Sequence, residues 1–382
     1  MNDAYDVVVV GGGIAGISAA YALGQDGARV AVVEREATLT AHSTGRSAAQ
    51  FLASYGEPAN RRLSAASRAF LDSDADGLAD SAVLIPRNVL WVAPDGFEGH
   101  LQERIEANQV TVTECELLDV ERTVAICAAL DPEWLAGGVI EYGGFDIDVA
   151  GLHQAYVRGA RAEGVTILRE RGVRELRQQG SDWRVETLEG RLSCSVVVNA
   201  AGAWADELAA VAGAQAVGMR PLRRTIFTFS TSFDAEDWPL VIAADESFYF
   251  KPEGPGQLLG SPADEHLDGP CDARPREVDV ARGIEAVNQA TRLDIRSIRS
   301  KWAGLRTFAP DRVPVVGFDP VVPGFFWCAG QGGTGIQTAP AISTLAAALI
   351  SGENPPEDVA ALASLLSPQR FAGVAAVQLE GP

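Results

Sequence analysis

The stretch that decides the fold is Asp6-Val7-Val8-Val9-Val10-Gly11-Gly12-Gly13-Ile14-Ala15-Gly16-Ile17-Ser18-Ala19-Ala20. A nearly all-apolar, β-branched run such as Asp6 to Val10 marks a strand buried on both faces of a parallel sheet. Gly11 to Gly16 then turns the chain in the pattern G-x-G-x-x-G. Ile17 to Asp26 has helical character and stops at Gly27, and Ala28 to Glu34 reads as a second strand. Together these make a βαβ unit. Each glycine then has a task. Gly11 permits the tight turn, Gly13 lets the backbone approach a pyrophosphate, and Gly16 lets helix and strand pack closely. The helix N-terminus, with Ile14 and Ala15 in the turn, faces the negative charge. Glu34, at the end of the second strand, can accept hydrogen bonds from a ribose diol. The reading is a dinucleotide site.

Further along, 58–73 reads as a helix, and 83–130 changes to short strands with a charged helix. Phe145 to Gly164 reads as a helix starting near Asp146 or Asp148. Val165–Arg169, Gly172–Arg177, Trp183–Glu189 and Leu192–Val198 read as strands. From Arg220 to about Ser300, strand-like segments rich in Phe, Tyr and Pro return, and from Trp302 the strand–glycine–helix character resumes. The expected fold is α/β. Residues 1–80, 146–215 and 302–382 would form a discontinuous dinucleotide domain, and 81–145 with 216–301 a second domain around an inserted antiparallel sheet.

Composition narrows the function. A chain of 382 residues exceeds what one core usually serves, and 47% hydrophobic residues suffice for two. The net charge of −20 repels phosphate backbones, so nucleic-acid partners are not expected. Cys115, Cys127, Cys194, Cys271 and Cys328 are scattered and odd in number, which fits neither a disulfide framework nor a zinc site. The four histidines form no metal cluster in sequence. The first ten residues lack a basic leader, and glycines interrupt the apolar run from Val7 to Leu23. A cytoplasmic protein without an integral membrane segment is expected.

Three more segments have the small residues a chain needs beside a cofactor: Ser43-Thr44-Gly45-Arg46-Ser47-Ala48-Ala49, Val196-Val197-Val198-Asn199-Ala200-Ala201-Gly202-Ala203-Trp204, and Trp327-Cys328-Ala329-Gly330-Gln331-Gly332-Gly333-Thr334-Gly335-Ile336-Gln337. The last opens a helix from Ala339 to Ile350, whose positive end suits an electron-rich ring.

With these segments in this order, the chain resembles the D-amino acid oxidase-like (glycine oxidase/sarcosine oxidase-like) flavoprotein superfamily over essentially its whole length. Within it the chain resembles the bacterial D-arginine dehydrogenases. Further carriers are Glu34-Arg35-Glu36-Ala37, Asp245-Glu246-Ser247-Phe248-Tyr249 and Trp302-Ala303-Gly304-Leu305-Arg306. The resemblance implies non-covalent FAD and a p-hydroxybenzoate-hydroxylase-like fold. Gly11, Gly13, Gly16, Glu34 and Arg35 would hold the ADP half, with Val173 meeting the adenine. Thr44, Arg46, Ser47 and Ala48 would run along the isoalloxazine, and Gly45, Ala201, Gly202 and Trp204 would also contact the cofactor. Gly333, Thr334, Gly335, Ile336 and Gln337 would face its pyrimidine side.

The family clamps a substrate carboxylate with arginine and tyrosine, and the matching positions are Arg306, Arg224, Tyr55 and Tyr249. An arginine fork binds a carboxylate bidentately, and tyrosine hydroxyls satisfy its remaining lone pairs. Arg223 and Arg224 are adjacent, so strand alternation lets only one face the pocket. Val89 stands where the arginine dehydrogenases place a glutamate, and Gln50 where they place a histidine. Without that carboxylate a buried cationic side chain has no partner. The expected reaction is therefore oxidative deamination of D-amino acids with neutral or hydrophobic side chains, ahead of arginine. Secondary amines, such as sarcosine, are the alternative substrates, and a flavin-binding subunit without a substrate is the non-catalytic alternative. The resemblance implies reoxidation by a quinone or carrier ahead of oxygen.

Overall fold

The computed structural model describes residues 3–111 and 114–373. Residues 1–2, 112–113 and 374–382, which fall in the expected spans 1–80, 81–145 and 302–382, lie outside the described residues. Val7–Val10 is buried at every position, as an inner strand requires. It pairs in parallel with Val30–Val33 on one side and Val196–Asn199 on the other. Thr166–Leu168 and Phe325–Ala329 extend the sheet, and Val315–Phe318 closes it as an antiparallel edge. Among the described residues this sheet has six strands, drawn from three distant stretches of chain. Helices Ile14–Gln25, Val149–Ala162 and Gly335–Ser351 pack together over it. Full burial of one Val side chain stabilises by roughly 1.5–3 kcal/mol, so this valine strand is anchored in the core.

Several boundaries differ from the sequence reading: the last long helix begins at Gly335 rather than Ala339, and three further differences have a local reason. The first helix starts at Ile14 rather than Ile17, with Gly16 inside it. A Cβ on Gly16 would lie 1.9 Å from the Gly11 carbonyl oxygen, so close packing overrides glycine's poor helix propensity. The expected strand Leu192–Val198 breaks at Ser195. Gly190–Cys194 pairs antiparallel with Asp182–Thr187, and Val196–Asn199 enters the parallel sheet. The Ser195 and Val196 amides both donate to the Asp6 carbonyl, where the chain crosses between sheets. Phe145–Ile147 is a strand against Gln50–Phe51, and the helix begins after Asp148. The Asp148 side chain accepts from the Gly151 amide at 2.8 Å, a side-chain N-cap.

The second large sheet runs along Arg220–Ser230. Ser300–Phe308 pairs with that strand from residue 300 onward, as does Gln257–Ser261. Tyr249–Pro252, Leu240–Ala243, Val89–Pro94 and Leu135–Glu141 follow in order. These pairs are antiparallel except one: Leu240–Ala243 runs parallel to Val89–Pro94. Alternation divides the sheet's two faces. Leu90, Phe227, Phe229, Val241 and Phe250 build a core on one face. Trp91, Arg224, Leu240, Ile242 and Tyr249 face a cavity on the other. Among the described residues no helix is long and apolar enough to cross a membrane.

Candidate functional site

A cavity of about 480 Å³ runs between the glycine turn and the inner face of the mixed sheet. Backbone builds its first end. Gly11 has φ +110°, and a Cβ there would lie 2.3 Å from the Ala200 carbonyl oxygen. Only glycine meets both demands. The Ile14 amide, in the first turn of its helix, donates to Thr44 Oγ1 at 3.1 Å. Glu34 Oε2 accepts from the Gly12 amide at 2.8 Å and Oε1 from the Glu36 amide at 2.9 Å. A carboxylate has about four lone-pair sites, so capacity remains for a diol. The Arg35 guanidinium lies 3.7 Å over the Trp204 ring, a cation–π wall. Gly13, Ala15, Ser47, Ala48, Val173, Ala201, Gly202, Gly335 and Ile336 complete the lining. Glycines that tolerate no side chain, an acidic residue and a helix N-terminus fit a dinucleotide.

Other expected cofactor residues sit nearby but do different work. Gly16 and Gly45 do not line the cavity; a Cβ on Gly45 would lie 2.2 Å from the Thr40 carbonyl oxygen, so its lack of a side chain closes a turn. Thr334 is buried, donates to the Gln331 carbonyl at 3.0 Å and accepts from Asn60. Arg46 reaches the cavity, but its guanidinium is engaged with the Ala41, Ala273 and Ala303 carbonyls and with Asp272. It ties the 43–49 loop to the strand Ser300–Phe308. Gln337 lines the cavity and clasps Leu52, accepting from its amide and donating to its carbonyl, both at 3.1 Å.

Side chains build the other end. Arg224 and Arg306, on adjacent antiparallel strands, line the cavity with Tyr55, Tyr249, Gln50 and Gly333. Arg306 Nη1 donates to the Tyr55 hydroxyl at 3.3 Å. The Arg224 guanidinium stands 5.8 Å from the Tyr249 ring centroid. A Cβ on Gly333 would lie 3.1 Å from Arg306 Nη1, so glycine keeps that side open. Arg223 points to the other face and pairs with Asp268. Burial, and then the charge on Arg306, lower the Arg224 pKa from its ordinary value. Among the cavity-lining residues, three buried polar atoms have no hydrogen-bond partner: Arg306 Nε, Gln50 Oε1 and Thr307 Oγ1. An unmet donor and an unmet acceptor at one end of a cavity suit a ligand carrying both.

Val89 does not line the cavity. It is fully buried in a cluster with Leu52, Trp91, Leu240 and Ile242. Those four neighbours supply the apolar wall instead. Leu240, Ile242 and the charged lining residues Lys251 and Glu246 were not among the expected site residues. Lys251 is held by Asp146 at 2.6 Å, and Glu246 by Arg104 at 2.8 Å. Glu141, 1% exposed, accepts from Ser54 Oγ at 2.6 Å and Trp91 Nε1 at 3.2 Å behind the wall. Glu265 was missed too. It holds Arg306, lies 3.5 Å from Arg224 Nη2, and accepts two bonds from Arg312, both at 3.1 Å. Burial pushes its carboxyl up, but Arg312, Arg306 and Arg224 outweigh this and hold it below the usual range. Alternation marks Lys251 as sharing a face with Tyr249, but pairings 41 and 47 positions apart leave no local signal.

Residues 6–349 match the family described as FAD dependent oxidoreductase. Hydrogen cyanide synthase subunit HcnC of Pseudomonas aeruginosa is 26% identical, over 94% of this chain and 95% of its own. The crystal structure of glycine oxidase from Geobacillus kaustophilus superposes with a TM-score of 0.85 at 22% identity, covering 97% of this chain and all of that one. L-proline dehydrogenase from P. horikoshii gives a TM-score of 0.82 at 22% identity, covering 97% and 98%.

Proposed function

The chain belongs to the FAD dependent oxidoreductase family, with FAD as its cofactor, and from that premise we propose that it oxidises the carbon–nitrogen bond of small amino acids. The observation that carries this is the convergence of Arg224, Arg306, Tyr55 and Tyr249 on the cavity that also holds the glycine cradle. The finer reading is oxidative deamination of D-amino acids with neutral or hydrophobic side chains. The apolar wall of Leu52, Trp91, Leu240 and Ile242 supports the side-chain preference, in place of the role expected of Val89. The D configuration rests on the family resemblance.

In this reading the two arginines bind the carboxylate, and the tyrosine hydroxyls complete its hydrogen bonds. Gln50 Oε1 accepts from the substrate amine. The wall orients the side chain, which leaves the Cα–H as the group presented for transfer. Bound FAD supplies the hydride acceptor. The imino acid leaves and hydrolyses in water to a 2-oxo acid and ammonia. Gly11, Gly13, Glu34, Arg35 and Val173 would hold the ADP half, and Gly333, Gly335 and Ile336 would face the ring. We assign the described residues of 1–80, 146–215 and 302–382 to the cofactor domain and those of 81–145 and 216–301 to the substrate domain, with the seam at the strand Ser300–Phe308, which pairs with Arg220–Ser230 of the substrate sheet.

The test is turnover of D-leucine, L-leucine, D-arginine, sarcosine and proline by the FAD-loaded protein with an artificial acceptor. D-leucine leading the panel is the expected result. Preference for D-arginine would overturn the side-chain reading, and preference for sarcosine or proline would move the assignment to secondary amines.

A further inference from the structure

The arginine clamp is held from outside by a carboxylate of the protein's own. Glu265 lies in the short connection between Gln257–Ser261 and His266–Leu267. Ala263, two residues before it, has φ +50°, and Asp264 is pinned to the Thr225 amide at 2.6 Å and hydroxyl at 2.9 Å. The Asp264 carbonyl accepts from Arg224 Nε at 3.0 Å. The connection is therefore fixed to the strand that carries Arg224. From it Glu265 reaches Arg306, Arg224 and Arg312 together. Arg224 and Arg306 line the cavity, whereas Glu265 and Arg312 do not. Arg312 packs 4.0 Å over the Phe308 ring and is 41% exposed at its side chain, against 16% for Arg306. An ion ladder thus runs from the surface, Arg312–Glu265–Arg306, to the pocket.

We propose that Glu265 is a positioning residue that sets how tightly the clamp holds a carboxylate. The inference rests on the carboxylate-clamp reading above. Two neighbouring buried guanidinium groups need a counter-charge when no substrate is bound. Glu265 supplies it and competes with the substrate carboxylate for the same Arg306 fork. The competition matters because the 2-oxo acid product carries the same carboxylate as the substrate. A clamp without a competing anion binds the substrate more tightly and releases the product more slowly. Arg312 moderates the competition by drawing Glu265 outward.

The experiment uses FAD-loaded protein and two probes without an amine, 4-methylpentanoate and its uncharged amide. Binding is read from perturbation of the flavin spectrum and from tryptophan fluorescence. Glu265→Gln should bind the acid about tenfold tighter, with amide affinity unchanged. Its KM for D-leucine should fall together with kcat, and Glu265→Asp should restore wild-type behaviour. Arg312→Gln should do the opposite, weakening acid binding about threefold as Glu265 turns fully onto Arg306. That second variant decides the matter if Glu265→Gln does not retain FAD. Unchanged or weaker acid binding in Glu265→Gln, unchanged or tighter binding in Arg312→Gln, or acid and amide shifting together, would overturn the proposal. If wild-type protein binds neither probe, the clamp reading itself fails. If it binds the acid and Arg306→Met does not, that reading stands and only the role of Glu265 is decided.

Discussion

The two ends of the cavity are made differently. The cradle end is largely backbone: Gly11 leaves no room for a Cβ against the Ala200 carbonyl, and Gly202 sits at φ +57°. The clamp end is side chains: Arg224, Arg306, Tyr55 and Tyr249 meet from four separate segments through sheet register and one loop. A backbone site is written in consecutive residues, and any added carbon damages it. A side-chain site depends on charge and is assembled only when distant strands pair.

The largest effect should separate the two ends cleanly. Arg306→Met should retain FAD but lose about a thousandfold in kcat/KM for D-leucine, about 4 kcal/mol of lost charge-assisted binding and orientation. Steady-state kinetics beside the flavin-to-protein absorbance ratio checks both halves. Gly11→Ala should do the reverse. Its Cβ would clash with the Ala200 carbonyl, at a cost of about 1–3 kcal/mol of stability, and the protein should purify depleted of FAD. If Gly11→Ala keeps full FAD, the cradle does not need close backbone approach.

Smaller effects sharpen the contrast. Tyr249→Phe removes one hydroxyl at the clamp and should raise KM about tenfold with little change in FAD content. The smallest belongs to His153, which packs under the cradle and bonds the Gly12 carbonyl at 3.0 Å. Burial, outweighing that bond, holds its imidazole below the ordinary value. Between that lowered value and the unfolded value of about 6.5, the folded state binds fewer protons than the unfolded state. Stability should therefore fall as pH drops through this window. Thermal unfolding of His153→Asn should show a shallower loss as pH falls below the unfolded value of about 6.5. An equally steep loss in the variant would assign the acid sensitivity to other groups.

The same contrast explains what could be read from sequence. Val7 to Gly16 specified strand, turn and helix because period and glycine spacing are local signals. Alternation, also a local signal, let only one of Arg223 and Arg224 face the cavity, and the family resemblance, not the alternation, pointed to Arg224. The break at Ser195 was hidden, since both halves have the same β-branched character and only the crossing to Asp6 divides them. Val89 was misplaced for a related reason. It shares a strand face with Trp91 but is fully buried in the cluster with Leu52, Trp91, Leu240 and Ile242, so a cavity-facing register did not make Val89 a lining residue. Glu265 left no trace because its partners come together only after Ser300–Phe308 docks on Arg220–Ser230.

The measurement that tests the account most directly compares D-leucine with 3-methylbutylamine, the same molecule without its carboxylate, as anaerobic reductants of the bound flavin. The account predicts rapid bleaching by D-leucine and at least about 100-fold slower bleaching by the amine, because the clamp then has nothing to hold. Equal rates would contradict it, since the arginines and tyrosines would have no part in presenting the substrate.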